Sequence, residues 1–265
     1  MISPVILIKG AGEMASAVAH RLFKAGFSSI CLIDIAQPLA VRRTVSFCPA
    51  LEVGEAKVED VVAERVEDAA ALQSAWVRGR LGVAQAERWH QAPFMPPDVI
   101  IDAILAKRNL GTNLADAPMV IALGPGFEAG KDAHLVIETN RGHDLGRIIE
   151  RGSAAPNTGI PGDIAGYTSE RVLRAPADGR FETRLDIGDL VNKGEVVGTV
   201  GGTDLLAPLS GVLRGLIRDK TEVTKGLKVG DIDPRGNAAY CHTISDKARA
   251  IAGSVLEAVM RHAHR

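Results

Sequence analysis

Cysteine is scarce in this chain. Its 265 residues hold three, Cys31, Cys48 and Cys241, odd in number and far apart, which excludes a disulfide framework and a paired-cysteine zinc site and points to a reducing compartment. No run of 18 apolar residues occurs, so no membrane-spanning helix is expected. The opening MISPVILIKGAG has no basic n-region and no small-residue cleavage site, and a cytoplasmic protein is expected. Charge of one sign is missing too: 31 Lys and Arg face 32 Asp and Glu, a formal charge of −1 with no basic block. A protein that works by neutralising many phosphates carries an excess of cations, so nucleic acid is not an expected partner. There is no HExxH pair or other metal-ligand spacing, so no metal is expected. No nucleophile elbow appears either, and no residue is assigned a catalytic role.

Glycine is what the chain has in excess. It counts 28 of 265 residues, with aromatics at only 4%, a balance that fits many tight turns and close backbone approaches. The first glycines follow a short apolar run, Pro4 to Lys9, and precede a helical pattern in which Met14, Val18, Leu22 and Ala25 share one face. Gly26 closes that helix, and SSICLID from Ser28 to Asp34 reads as a second strand buried on both faces, completing a βαβ unit. Val99 to Ile104, Met119 to Leu123 and His134 to Glu138 are further short apolar runs with strand character. Between them Glu59 to His90, rich in Ala, Glu and Arg, reads mostly as helix. Gly152 to Gly166 reads as a functional loop or a linker, and Ser245 to His262 returns to helical spacing.

Gly10-x-Gly12-x-x-Ala15, between a strand and a helix, matches the dinucleotide fingerprint. Gly10 would permit the tight turn, Gly12 would let backbone approach a pyrophosphate, and Ala15 would let helix and strand pack closely, with the helix N-terminus favouring an anion. Asp34, ending the second strand, is placed to accept from a ribose, while Glu13 inside the turn either faces away or signals a different ligand. Ligands of open α/β sheets sit outside the carboxyl ends of the strands. Arg42, Arg43, Lys107, Arg108, Gly124, Gly126, Asn140 and Arg141 all follow such ends, and Asp102, inside its run, is a candidate for the same edge. The five cations among them are expected to converge on one anionic-ligand pocket. A nucleotide or dinucleotide, NAD(P) or a molybdopterin dinucleotide, is the expected cofactor. Cys31 is expected in the core, while Cys48 and Cys241 are candidate exposed thiols for chalcogen transfer.

After Arg171 the chain repeats itself. Ala175–Val200 aligns with Ala207–Ile232 without gaps at an offset of 32, with eight identities in 26 positions, among them Ala-Pro, Val191/Val223 and Lys193-Gly194/Lys225-Gly226. Two such units resemble the barrel-sandwich fold of lipoyl and biotinyl carrier domains, but the turn between them, Gly201 to Leu206, has no lysine to modify. The expected organisation is α/β: residues 1–168 a Rossmann-like parallel-sheet domain that binds nucleotide, 169–240 a small all-β barrel-sandwich domain of two similar units, and 241–265 a C-terminal helix.

Taken together, KGAGEMASAVAHRLFKAGF, PLAVRRTVSF, DAILAKRNLGT, GPGFEAGKDAHLVIETNRGHDLGR, GSAAPNTGIPGDIAGYT and LIRDKTEVTKGLKVGDIDPRG closely resemble the YqeB family over nearly the whole chain, except roughly residues 58–94. The N-terminus is distantly similar to XdhC-type factors. The resemblance implies an accessory or maturation factor for a selenium-dependent molybdenum hydroxylase, with that enzyme as client and a homo-oligomer compatible. The alternatives are an NAD(P)-dependent oxidoreductase acting on a small acid or cofactor precursor, and chalcogen transfer through an exposed cysteine.

Overall fold

The computed structural model describes residues 4–86, 88–92, 96–160 and 162–263. His264 lies outside them. The residues fall into two compact units. The first comprises residues up to Pro38, Val45–Thr158 and Ile244 onward, and the second Leu39–Thr44 with Gly159–Thr243.

The first unit is built on a nine-stranded sheet. In chain order its elements are β1 (Ile6–Lys9), α1 (Glu13–Lys24), β2 (Ile30–Asp34), α2 (Ala50–Val53), β3 (Glu55–Val58), β4 (Val61–Arg65), α3 (Ala69–Val77), β5 (Leu81–Gln85), β6 (Val99–Asp102), β7 (Met119–Leu123), β8 (Glu128–Ala129), β9 (Leu135–Ile137), β10 (Ile148–Ile149) and β11 (Gly152–Ser153). The sheet runs β10-β9-β7-β6-β1-β2-β5-β4-β3, and β8 pairs with β11 apart from it. From β4 to β9 every pairing is parallel, whereas the two edges, β3 on β4 and β10 on β9, are antiparallel. Continuous apolar runs such as ILI of β1 and MVIAL of β7 suit strands covered on both faces. Leu7, Cys31, Ile33, Ile100, Val120 and Val136 pack on one side with Leu72 and Ala75 of α3. On the sheet's other side α1 packs against β1 and β2. An 18-residue helix, α4 (Asp246–Ala263), returns from the end of the chain to pack on α1, β7 and β9.

The second unit is two four-stranded antiparallel sheets. Its strands are β12 (Val172–Arg174), β13 (Gly179–Glu182), β14 (Leu190–Val191), β15 (Val196–Val200), β16 (Thr203–Leu206), β17 (Gly211–Leu216), β18 (Glu222–Val223) and β19 (Lys228–Asp233). They are ordered β12-β19-β17-β14 and β16-β15-β13-β18. The internal repeat is a symmetry of pairing. Gly179 opposes Val223 as Gly211 opposes Val191, and Phe181 opposes Val200 as Leu213 opposes Ile232. Each half therefore contributes a strand to the other half's sheet. Phe181, Leu213, Val197, Val229, Val200 and Ile232 fill the common core.

This is a large mixed sheet, further antiparallel sheets and a C-terminal helix, and it corrects the expected Rossmann-like domain followed by a lipoyl-like barrel. The sheet is not wholly parallel, and no α-helix lies between β6, β7 and β9 among the described residues, so it is not doubly wound; the cover over β7 and β9 comes from α4. The second unit is not self-contained within its repeat. Leu216 N–H donates to Val41 O at 2.9 Å, and Arg43 Nε donates to Leu216 O at 2.8 Å. The helix expected over Glu59–His90 is also overturned. Val58 and Val61 pair directly across a two-residue turn at Glu59 (φ +52), so β-branched residues in 55–65 make an edge hairpin, and only α3 remains helical there. Within the Gly152–Gly166 tract, β11 pairs with β8 and the boundary between the two units follows at Thr158. Among the described residues no helix is long and apolar enough to cross a membrane.

Candidate functional site: a strand-end crevice

Chain order reverses at β1, which has β2 on one side and β6 on the other. β1 continues to β2 on one side and β6 continues to β7 on the other, so the connections leave this pair of strands in opposite directions and do not roof their carboxyl ends. A crevice of about 550 Å³ opens there, within the range of small-ligand sites. Lys9, Gly10, Asp34, Asn113 and Asp116 supply its polar wall and Ile33, Ile35, Ala86, Ile104 and Leu110 its apolar one.

The turn after β1 is held from both sides. Gly10 has φ +97, and a Cβ there would stand 3.2 Å from Ala103 O, so both torsion and the close backbone of β6 require glycine. Asp34 Oδ2 accepts from Ala11 N–H at 2.8 Å and Oδ1 from Ile35 N–H at 2.8 Å. The carboxylate thus ties the glycine turn to the end of β2. Burial pushes the Asp34 carboxyl above its ordinary value, against the pull of those two donors. Gly12 is the N-cap of α1 with no side-chain cap, and the space where its Cβ would be is open. Ala15 is fully buried under the helix.

Lys9 and Asp102 occupy the last positions of β1 and β6 and are register partners. Both are buried, with Nζ 3.4 Å from Asp102 Oδ2. Thr112, also buried, accepts from Lys9 Nζ and donates to the same Oδ2 at 2.6 Å. Asp102 Oδ1 takes the Ile104 N–H at 3.2 Å. Asp116 and Asn113 satisfy one another in a capping box, Asp116 accepting the Asn113 N–H at 3.1 Å.

A second polar group lies where α1, α4 and the β6 and β9 ends meet. Lys247 in the first turn of α4 is flanked by Arg141, Glu13, Glu138 and Lys107; burial first, then the Arg141 and Lys107 charges, lower its ammonium below the ordinary value against the opposing pull of Glu13 and Glu138. Glu13 does not point at a phosphate site, because its carboxylate accepts from Ser245 Oγ at 2.9 Å. Arg141 is bound to both oxygens of Asp246, each at 2.7 Å.

Of the sequence-derived candidates, Gly10 and Asp34 line the crevice, while Gly12 and Ala15 belong to the adjoining helix start. Lys107 (φ +61) and Arg141 gather near Lys247. Gly124 (φ +78) and Gly126 (φ +105) allow close approaches, to Thr139 and to the Arg108 backbone respectively. Asn140 is exposed, its N–H bound to buried Glu138 at 2.7 Å. The expected convergence of five cations is not what the side chains are used for. Arg42 Nη2 donates to Tyr240 O at 2.9 Å and Thr243 O at 3.3 Å, and Arg43 pairs with Asp186 at 2.8 Å, all within the second unit. Cys48 and Cys241 are buried like Cys31, so neither is the exposed thiol that chalcogen transfer needs. Sequence reading missed Lys9, Thr112, Asn113 and Asp116, although a lysine ending an apolar strand was a visible signal. Lys247 gave none. Among the described residues no group of three or more His, Cys, Asp or Glu could hold a metal ion.

No family model matches the chain. It is 47% identical over 260 residues, 98% of its length, to the uncharacterized protein YqeB of Escherichia coli strain K12, so the resemblance to YqeB is supported. The chain spans about half, 48%, of that relative's length. Solved structures similar to it are a succinylglutamate desuccinylase/aspartoacylase from Rhodobacter sphaeroides (16% identity, 51% of this chain and 58% of that one, TM-score 0.24) and an aspartoacylase family protein from Mesorhizobium loti (15%, 87% and 85%, 0.28). A third is the ectoine utilization protein EutE (DoeB) from Ruegeria pomeroyi (13%, 87% and 85%, 0.26). Likenesses this loose carry no activity across. The expected accessory role toward a selenium-dependent molybdenum hydroxylase, and the oxidoreductase alternative, are withdrawn, because the relative that matches nearly the whole chain is uncharacterized and supports neither.

Proposed function

We propose that the first unit is a binding domain for a nucleotide, held in the crevice at the ends of β1, β2 and β6. The observation that carries this reading is the pairing of an apolar rim with a half-buried carboxylate, Asp34, at the order reversal of the sheet. Ile35, Ile104 and Leu110 are 47%, 40% and 51% exposed at the crevice, a costly arrangement for large apolar side chains unless a planar apolar group covers them. Asp34 stands beside them. Each of its oxygens accepts one backbone N–H and retains a lone pair, which suits the adjacent hydroxyls of a ribose. The uncapped start of α1 at Gly12 lies two residues beyond Gly10 of the crevice wall and offers amide donors to an anion.

Thermal-shift and calorimetric titration with a panel of nucleosides, nucleotides and dinucleotides tests the reading. A cognate ligand at a hundred times its Kd stabilises the folded state by about 2.7 kcal/mol. Leu110→Glu, at an exposed rim position, is expected to remove that shift while leaving the melting temperature of the free protein unchanged. A panel with no stabilising member, or an unaltered response in Leu110→Glu, refutes the assignment.

A further inference from the structure

We infer that Lys9 is the group in the crevice that recognises an oxyanion, so that the ligand is a nucleoside phosphate and the protein discriminates against the bare nucleoside. This rests on the nucleotide reading of the same crevice and names which part of the ligand the protein selects. A lysine is out of place at the end of a central strand whose other residues are Ile6, Leu7 and Ile8. Removing an ammonium from water costs several kcal/mol even when it is paired. Asp102 does not need it. That carboxylate already takes the Thr112 hydroxyl and the Ile104 N–H, and those two bonds would serve a neutral neighbour as well. The relation therefore runs the other way. Asp102 and Thr112 hold a charge in place at the bottom of the crevice.

The donors can be counted. An ammonium has three N–H groups. One reaches Thr112 Oγ1, and a second faces Asp102 Oδ2 at 3.4 Å. The third has no acceptor among the described residues, and Lys9 forms part of the crevice wall. The other charged groups of the wall include two carboxylates, but neither competes for this role. Asp34 is engaged by two backbone amides and keeps its remaining lone pairs for the ribose, and Asp116 is engaged by its capping box. Arg88, on the same wall and exposed, adds a second positive charge. A phosphate oxygen accepting from Lys9 would complete the ammonium's third bond inside a partly dehydrated site, where charge-assisted hydrogen bonds are strongest.

The test compares the 5′-monophosphates of adenosine, guanosine, cytidine and uridine with their own nucleosides by calorimetric titration of the full chain. In the wild type at least one monophosphate is expected to bind about tenfold to a hundredfold tighter than its nucleoside, the range for one hydrogen bond to a charged group. Lys9→Met should erase that preference and leave the nucleoside's affinity in place. Because Lys9→Met leaves Asp102 charged and alone, Lys9→Met/Asp102→Asn, which removes both charges at nearly constant shape, is measured beside it and should show the same loss. If no probe binds the wild type, the nucleotide reading fails and this inference with it. If a nucleoside binds as well as its monophosphate, or the preference survives in the variants, only the role of Lys9 is overturned.

Discussion

Gly126 has φ +105, and a Cβ built on it would lie 2.6 Å from both N and Cα of Arg108 and 2.9 Å from its carbonyl carbon. Ordinary carbon contacts begin at about 3.5 Å, so Gly126→Ala creates an overlap of roughly 1 Å. All three atoms are backbone, and no side chain can swing aside. Relief requires moving the segment that follows β6, which carries Leu105 (φ +59) and Lys107 (φ +61) in conformations already costly for side-chain-bearing residues. The positive φ costs about 1–2 kcal/mol for an alanine and overpacking about 1–3 kcal/mol. Reduced freedom of the unfolded chain returns about 0.4–1 kcal/mol, leaving a net loss of about 1–5 kcal/mol. Gly130→Ala is the control. It shares a positive φ (+87) but has open space around the added carbon, so it carries the torsional cost alone. Urea denaturation of both variants, followed by circular dichroism, gives the difference. The same segment supplies Leu110 and Gly111 to the crevice, so Gly126→Ala should also weaken ligand binding where Gly130→Ala does not. If the two variants agree in stability to within about 0.5 kcal/mol, the limit at which independent effects are resolved, the Arg108 segment yields freely and its close packing does not shape the site.

Phe181 and Leu213 occupy equivalent positions in the two halves of the second unit and are both fully buried. Phe181→Ala should cost about 3–5 kcal/mol and Leu213→Ala about 2–5 kcal/mol in chemical denaturation, and a small effect at one of them would show that the halves do not share a core. At the edge hairpin, Lys24 first and His20 second hold the exposed Asp60 carboxyl at about 2, below its ordinary 3.8. Since its folded value is depressed, Asp60 contributes stability that is fully present above 3.8 and disappears as pH falls through about 2. Thermal melts of wild type and Asp60→Asn should converge at the acid end, and a gap that persists there would contradict the assignment. The three cysteines are all buried, so native protein should react with a thiol reagent only after addition of denaturant. A fast-reacting thiol in the native state would show that Cys48 or Cys241 opens to solvent.

The local elements were legible wherever one period and one set of turn residues decided them. Met14, Val18 and Leu22 keep helical spacing between two glycines, and the structure has α1 over Glu13–Lys24. The short apolar runs are strands, and the Ser245–His262 pattern is α4. Residues 59–65, read as the start of a helix because the segment to His90 is rich in Ala, Glu and Arg, instead form the second half of an edge hairpin, which the pairing of Val58 with Val61 stabilises and composition does not report. Gly10 and Asp34 were found from the glycine spacing. Lys9, Thr112 and Asp116 were not, since each acquires its role only when β6 and the segment after it are laid beside β1.

The sequence by itself determined the βα turn at Gly10 to Ala15 and the internal repeat. Its offset of 32 reappears as paired registers because identical spacing of turn and core residues produces identical strands. Tertiary structure alone decided the rest: that residues 39–44 complete the second unit, that α4 covers the first unit's sheet, and that Arg42 and Arg43 reach backbone carbonyls and Asp186 of the second unit. A neutral net charge likewise did not show that one lysine is buried against one aspartate at the crevice. Periodicity and turn chemistry act over a few residues and can be read along the chain, whereas the partners of a charge are set by which distant strands become neighbours.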